Sequence, residues 1–313
     1  MKLLSYQKKR KIKEKTVQIV IAVLRAIFII GVSYIILKPL ITKMSSSFML
    51  ERDLFDQTVK WIPRNPTVQH YLKAGKLMNY PRAVLNSFLL TFVVSVLQIL
   101  SCTMVGYGLA RFNYRGSGLV FGLAIFTLVV PPQMIMIPLY LNFRFFNFFG
   151  LLGSEGINLI GSFWPFILTA VTSSGLRNGL FIYIMRQFFR GMPRALEEAA
   201  YVDGAGMLRT FVKIMLPGAL PGILVIFLFA FVWQWNDYFF MNLFVGRGED
   251  FLVQALDGLP LKAVDGDHNQ IVSQYASLMK NTGSIMFIAP LLIMYLFLQK
   301  YFIESVERTG IVG

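Results

Sequence analysis

The sequence predicts an all-α polytopic membrane protein with six membrane-spanning helices, and three observations predict it. The 313 residues are 56% hydrophobic, with mean hydropathy +0.60. Only 15% are charged, against about 25% in soluble domains, whose surfaces need charge to stay dispersed. The apolar residues gather in runs long enough for the roughly 20 helical residues that cross a bilayer. A membrane barrel would instead alternate polarity in short segments.

The first span covers 17–37 and extends toward Ile41. It follows a basic stretch from Lys2 to Lys15, the layout of a secretory signal. Its apolar run exceeds the roughly 7–15 residues of a signal core and ends on Lys38-Pro39 rather than on small residues. It is therefore read as an uncleaved helix, with Arg25 snorkelling from its second turn. The second span runs 84–110, the third 119–141, the fourth 157–185, the fifth 219–245 and the sixth 284–303. Pro131, Pro132 and Pro138 interrupt the third around Gln133. Such a kink either lines a pathway with freed carbonyls or serves packing alone.

This divides the chain into a basic N-terminus (1–16), one membrane domain (17–303) and a tail (304–313), with no internal repeat. With the N-terminus inside, the inner segments carry Lys and Arg at about twice the density of the outer ones, as the positive-inside rule requires. Both termini are then cytoplasmic, as is the loop 185–217, while the long loops 42–83 and 247–283 lie outside. Trp61, Pro63 and Pro66 suggest that the first outer loop is ordered.

The net charge of +14 raises the question of nucleic acid. The basic cluster sits directly before an apolar run, so it faces anionic membrane lipid, and no nucleic-acid partner is expected. Cys102 lies inside an apolar run and reads as a small buried hydrophobe. Asp265-Gly266-Asp267-His268-Asn269 opens like a calcium loop, but Gln270 stands at the required glycine and Ala276 at the terminal glutamate. His70 and His268 have no supporting cluster. No metal, cofactor or catalytic residue is expected, and no phosphate-binding G-x-x-x-x-G-K-[ST] run is present to supply nucleotide chemistry.

The loop 185–217 is the most informative stretch. Pro193 suits a helix's first turn, Arg194 to Val202 are good helix formers, and Gly204 can take the left-handed turn that ends a helix. The small Ala199 and Ala200 let another surface approach closely. The loop thus presents a short helix, bracketed by turns, as a handle for a partner.

Glu198-Ala199-Ala200, then Gly204 after three residues, then Ile214, Leu216 and Pro217 after nine more, fill every fixed position of a pattern that resembles the ABC importer permeases. Shorter stretches resemble the carbohydrate-uptake branch: Asn86-Ser87, Tyr107 to Arg111, Val130-Pro131-Pro132-Gln133 with Pro138-Leu139-Tyr140, Arg186-Gln187-Phe188-Phe189, Trp235-Asn236-Asp237, and the tail from Glu307 to Gly313. The resemblance covers about residues 17–313. It implies a type I importer permease fold in a bacterial inner membrane, with the loop helix acting as a coupling helix. The ATPase-coupling residues would be Glu197, Glu198, Ala199, Ala200, Asp203, Gly204, Ile214, Leu216 and Pro217. The implied partners are a second homologous permease, ATPase subunits that bind the ATP, and an extracytoplasmic solute-binding protein. The implied cargo is a sugar or oligosaccharide.

Candidates for the substrate pathway come from polar residues in apolar spans. Gln133, Arg177, Trp235, Asn236, Asp237 and Tyr238 combine the aromatic faces and hydrogen-bonding groups that sugars need. Arg177 either faces the pathway or, if the span breaks at Ser173-Ser174-Gly175, snorkels to the interface. Counted from the predicted inner ends, Arg177 lies about 13 Å and Asp237 about 27 Å up, so no direct pair is expected. Trp233 reads as part of an interfacial aromatic belt.

Two other classes compete. An ion-gradient-driven transporter needs intramembrane carboxylates, and Asp237 is the only acidic residue well inside a span. A membrane-embedded enzyme needs clustered Asp, Glu, His or Cys, which the spans lack. An ABC importer permease for a non-sugar solute is the nearest alternative.

Overall fold

A computed structural model describes the chain apart from residues 1, 51, 54, 55, 57, 60, 149, 152, 154, 176, 247, 249, 265–269 and 311–313. The calcium-loop-like stretch and the end of the tail therefore lie outside the described residues. What is described is mostly helical and divides into two units, 1–74 with 263–285, and 75–262 with 286–313.

In the first unit, helix α1 (Lys2–Ser47) carries the first span and continues well past it, through Pro39. Its apolar stretch is exposed on every side within the chain. A helix that is apolar all round belongs against lipid or other apolar partners. Beyond it, the first outer loop is ordered, as Trp61 and the prolines suggested. The buried Asp53 accepts from the Asn65 amide at 3.1 Å, and Ser45 donates to the Trp61 carbonyl. Thr58 donates to Asp56 through both hydroxyl and amide, holding that carboxyl below its ordinary range. Lys43 and Ser46 both bond Asn281, and His70 meets the Tyr275 ring edge-on, so residues 43–70 and 275–281 form one body. Helix α2 (Gln69–Leu77) leads out of it.

The second unit opens with α3 (Tyr80–Arg111), started by Pro81 in its first turn and capped by Asn79 in the left-handed region. It matches the second span. Then come α4 (Ser117–Phe126), α5 (Pro132–Arg144), α6 (Trp164–Val171), α7 (Asn178–Gly191), α8 (Ala195–Val202), α9 (Met207–Gly218), α10 (Leu220–Trp235), α11 (Tyr238–Phe244) and α12 (Leu252–Val264). Helix α13 (Gln270–Gly310) holds the sixth span and exceeds it at both ends.

Three predicted spans are not single helices. The third stops at Phe126 and restarts at Pro132, because Pro131 and Pro132 cannot donate to a continuing ladder. Pro138 sits inside α5 without ending it. The fourth begins at Trp164 rather than Ile157 and breaks between Val171 and Asn178, where Ser173 takes φ 54°. The fifth breaks at Asn236-Asp237. Among the described residues, three helices are long and apolar enough to cross a membrane, and the bent pair α9–α10 would make a fourth.

Helix α3 packs along α7, α10 and α6. At Gly106 the approach is so close that a Cβ would lie 2.7 Å from the Met185 Cβ. One apolar cluster (Phe181, Met185, Phe189, Met215, Ile226) fills the end of this unit near α8; a second (Leu90, Phe143, Phe166, Phe244) fills the other.

Candidate functional site

The chain brings its predicted site residues to two places in the second unit. The first is the loop around α8. The helix forms over Ala195–Val202 and stops as the sequence implies. Gly204 takes φ 76°, the Ala205 amide reaches back to the Ala200 carbonyl at 2.9 Å, and the Gly204 amide to the Tyr201 carbonyl at 3.0 Å. This double return is the left-handed stop that glycine permits without steric cost.

The two neighbouring glutamates point in opposite directions. Glu198 is exposed, together with Ala199, Asp203 and Gly204. Glu197 is 8% exposed, and Ala200 is buried beside it on the inner face. Tyr107 donates its hydroxyl to Glu197 Oε1 at 2.8 Å, and Arg111 Nε lies 3.3 Å from Glu197 Oε2. The same guanidinium donates to the Met192 carbonyl at 2.8 Å, where α7 ends. Tyr107 itself is packed against Phe189, Phe211 and Phe112 at 5.2, 4.7 and 5.6 Å. Expected among the residues that meet a partner, Glu197 is instead spoken for within the chain. No spacing could separate it from Glu198. The signal was the phase of the helix: Glu197 and Ala200, three apart, share one face.

Ile214, Leu216 and Pro217 are also not on the open face of α8. Residues Phe211–Met215 form a π-helical turn, and the chain then bends by 74° between α9 and α10. Pro217 lacks an amide hydrogen, and Pro221 opens α10, so the ladder is interrupted on both sides of the bend. Ile214 packs on the core while Met215 is fully buried. This part of the pattern turns the chain from loop into span.

The second place is a cavity of about 450 Å³ lined from α3 (Gln98), α5 (Gln133), the α6–α7 break (Ser174, Arg177) and the end of α10 (Trp233, Gln234, Asp237), with Phe166 and Phe181 among its apolar walls. The Arg177 guanidinium lies over the Trp233 ring at 4.6 Å, and Trp233 stacks on Phe181 at 5.6 Å. Asp237 Oδ1 accepts from the Phe240 amide at 3.1 Å and so starts α11. Among the described residues no carboxylate is within ion-pair distance of Arg177, and the buried Gln234 Nε2 has no acceptor.

Gln133, Arg177 and Asp237 are thus brought together, while Trp235, Asn236 and Tyr238 are not. Trp235 is buried, its indole donating to the Phe287 carbonyl at 3.3 Å. Asn236 folds back on the Val232 carbonyl, and Tyr238 donates to Asp257 at 2.6 Å. Trp233, assigned to an aromatic belt, lines the cavity in place of Trp235. The expected difference in depth between Arg177 and Asp237 is also corrected. Helix α7 continues to Gly191, which puts Arg177 about 21 Å from its end, close to the roughly 24 Å length of α10. The two side chains enter one cavity without forming a pair.

A family model described as "Binding-protein-dependent transport system inner membrane component" matches residues 102–307. The chain is 29% identical over 251 residues to the alpha-glucoside transport system permease protein AglG of Rhizobium meliloti, covering 80% of this chain and 62% of that protein. It is 27% identical over 289 residues to the arabinooligosaccharides transport system permease protein AraQ of Halalkalibacterium halodurans, covering 90% and 93%. Among solved structures, it superposes with TM-score 0.71 and 23% identity on a chain of a bacterial ABC transporter involved in the import of the acidic polysaccharide alginate, covering 90% of this chain and 96% of that one.

Proposed function

This chain belongs to the family of binding-protein-dependent transport system inner membrane components, and we propose that it forms half of the pathway of an ATP-driven importer for a neutral or acidic oligosaccharide. It is a multi-pass membrane protein with the fold of an ABC importer permease. Its relatives named above carry α-glucosides and arabino-oligosaccharides, which supports a sugar as the cargo over other solutes.

The observation that carries the mechanism is the face of α8. Glu198, Ala199, Asp203 and Gly204 stand exposed on a helix whose other face is fastened inside the chain. An ATPase subunit docked on that face in the cytoplasm binds and hydrolyses the ATP. A second homologous permease closes the pathway, and a solute-binding protein delivers the sugar to the outer loops. With the loop 185–217 inside, both termini are cytoplasmic. When ATP draws the ATPases together, α8 moves and the spans turn the pathway outward; hydrolysis returns it inward. In the pathway the Arg177–Asp237 cavity presents aromatic faces for apolar sugar faces, and amide, guanidinium and carboxylate groups for hydroxyls.

The test is uptake of labelled α-glucosides and arabino-oligosaccharides by cells that carry the whole transporter. The proposal requires uptake that stops when ATP is depleted. Uptake that survives ATP depletion and collapses with the ion gradient would replace it with a gradient-driven transporter.

A further inference from the structure

The inference concerns how movement of α8 reaches the rest of the chain, and it rests on the reading of α8 as the ATPase-facing helix. Helix α8 is joined by chain to α7 and α9 alone. Its strongest side-chain tie runs elsewhere, to α3. Glu197 holds Tyr107 at 2.8 Å and Arg111 at 3.3 Å, both on the last turns of α3. Arg111 also holds the Met192 carbonyl, so the entry to the loop is fixed to the same side chain. The Tyr107 ring touches Phe189 on α7 and Phe211 on α9. One residue of α3 therefore contacts all three helices of the loop.

The ion pair is nearly closed to solvent, with side-chain exposures of 6% for Arg111 and 11% for Glu197. Breaking such a pair leaves an uncompensated buried charge, so the contact resists separation under load. Helix α3 is uninterrupted from this end to Gln98, which lines the cavity. By contrast, the routes along the chain are broken: α7 stops at the Arg177 break, and α9 bends by 74° into α10. Coupling between distant sites is carried by packed contacts and rigid elements, and α3 is the element here that has both.

The geometry points to Glu197 as a positioning residue, a latch that makes α8 and α3 move as one body and so delivers the ATPase's displacement to the cavity wall at Gln98. Glu198 meets the partner; Glu197 transmits what the partner does. Tyr107 and Arg111 are the latch's receiving side.

The test uses the full chain assembled with its companion permease and ATPase subunits in lipid nanodiscs. Nitroxide labels are placed at Met104→Cys on α3 and Val202→Cys on α8, both exposed positions; Cys102 is buried and stays unlabelled. The distance between labels is measured without nucleotide and with ATP and vanadate. In the parent, it should change by no more than the roughly 1–2 Å of an interface adjustment. Tyr107→Phe, which keeps the ion pair, should broaden the ATP-bound distribution. Tyr107→Phe with Glu197→Gln should shift it by about 5 Å or more, the scale of a slipped helix turn, while the ATPase subunits stay attached. Should the double variant not assemble, Tyr107→Phe alone decides. The latch is overturned if the parent distance itself changes by that larger amount, if both variants keep the parent distances, or if Tyr107→Phe releases the ATPases, since the triad would then only shape the docking face. If the labelled parent and the unlabelled chain both retain no ATPase, the underlying reading of α8 fails with it.

Discussion

At one end of α3 an arginine and a glutamate are buried together, 3.3 Å apart and sealed by an aromatic ring. Further along the same helix, Gln98 looks into a cavity where another arginine and another carboxylate stay apart. Arg111 and Glu197 satisfy each other, so they are fixed in place and unavailable to anything outside. Arg177 rests on the Trp233 face and Asp237 spends one oxygen on a helix cap, so both keep hydrogen-bonding capacity for a ligand. Paired charge builds the mechanical end of the chain, and unpaired charge builds its chemical end.

Substitutions at the two ends should therefore differ in kind. Arg111→Ala strands a buried carboxylate and is expected to cost about 3–5 kcal/mol, read as a lowered unfolding midpoint of the detergent-solubilised chain. Arg177→Ala loses only a cation–π contact, about 0.5–1 kcal/mol. It should leave the midpoint nearly unchanged and cut sugar uptake severalfold. Equal midpoints for the two would erase the contrast.

Gly106→Val sharpens the mechanical side. Its side chain would meet Met185 Cβ at 2.7 Å and the Arg186 amide nitrogen at 3.1 Å, forcing α3 from α7 at a cost of about 1–3 kcal/mol. Gly204→Val separates backbone from packing, because nothing lies within 4 Å of a Cβ there and only the positive φ resists. A cost of about 1–2 kcal/mol is expected for a non-glycine residue in that conformation. Membrane insertion should be retained while transport is lost. Glu198→Gln should be the mildest for stability, within about 0.5 kcal/mol as an exposed change. Its effect should appear as weaker retention of the ATPase subunits on purification.

The mechanical end was largely legible in the sequence, because its parts are contiguous. Pro193, the Ala-rich turn and Gly204 state where α8 starts and stops, and the structure places it at Ala195–Val202. What sequence spacing missed was the inward turn of Glu197, since its partners Tyr107 and Arg111 come from a helix far away in the chain. The cavity was legible only in part. Gln133, Arg177 and Asp237 stood out as polar residues in apolar runs. Trp233 and Trp235 differ by two positions, about 200° around a helix, and composition alone does not say which of them faces a cavity. Long helices were read where breaks occur, because hydropathy continues across Ser173-Ser174-Gly175 and Asn236-Asp237 while the backbone ladder does not. Those breaks place the caps of α7 and α11, Arg177 and Asp237, in the cavity.

The central claim is that the exposed face of α8 is cytoplasmic and covered by an ATPase subunit. Ala199→Cys, challenged with a membrane-impermeant maleimide in vesicles of each orientation, tests it most directly. The account predicts labelling only in inside-out vesicles stripped of ATPase, and protection when purified ATPase subunits are added back. Labelling from the outer face, or undiminished labelling with the ATPase restored, would contradict it.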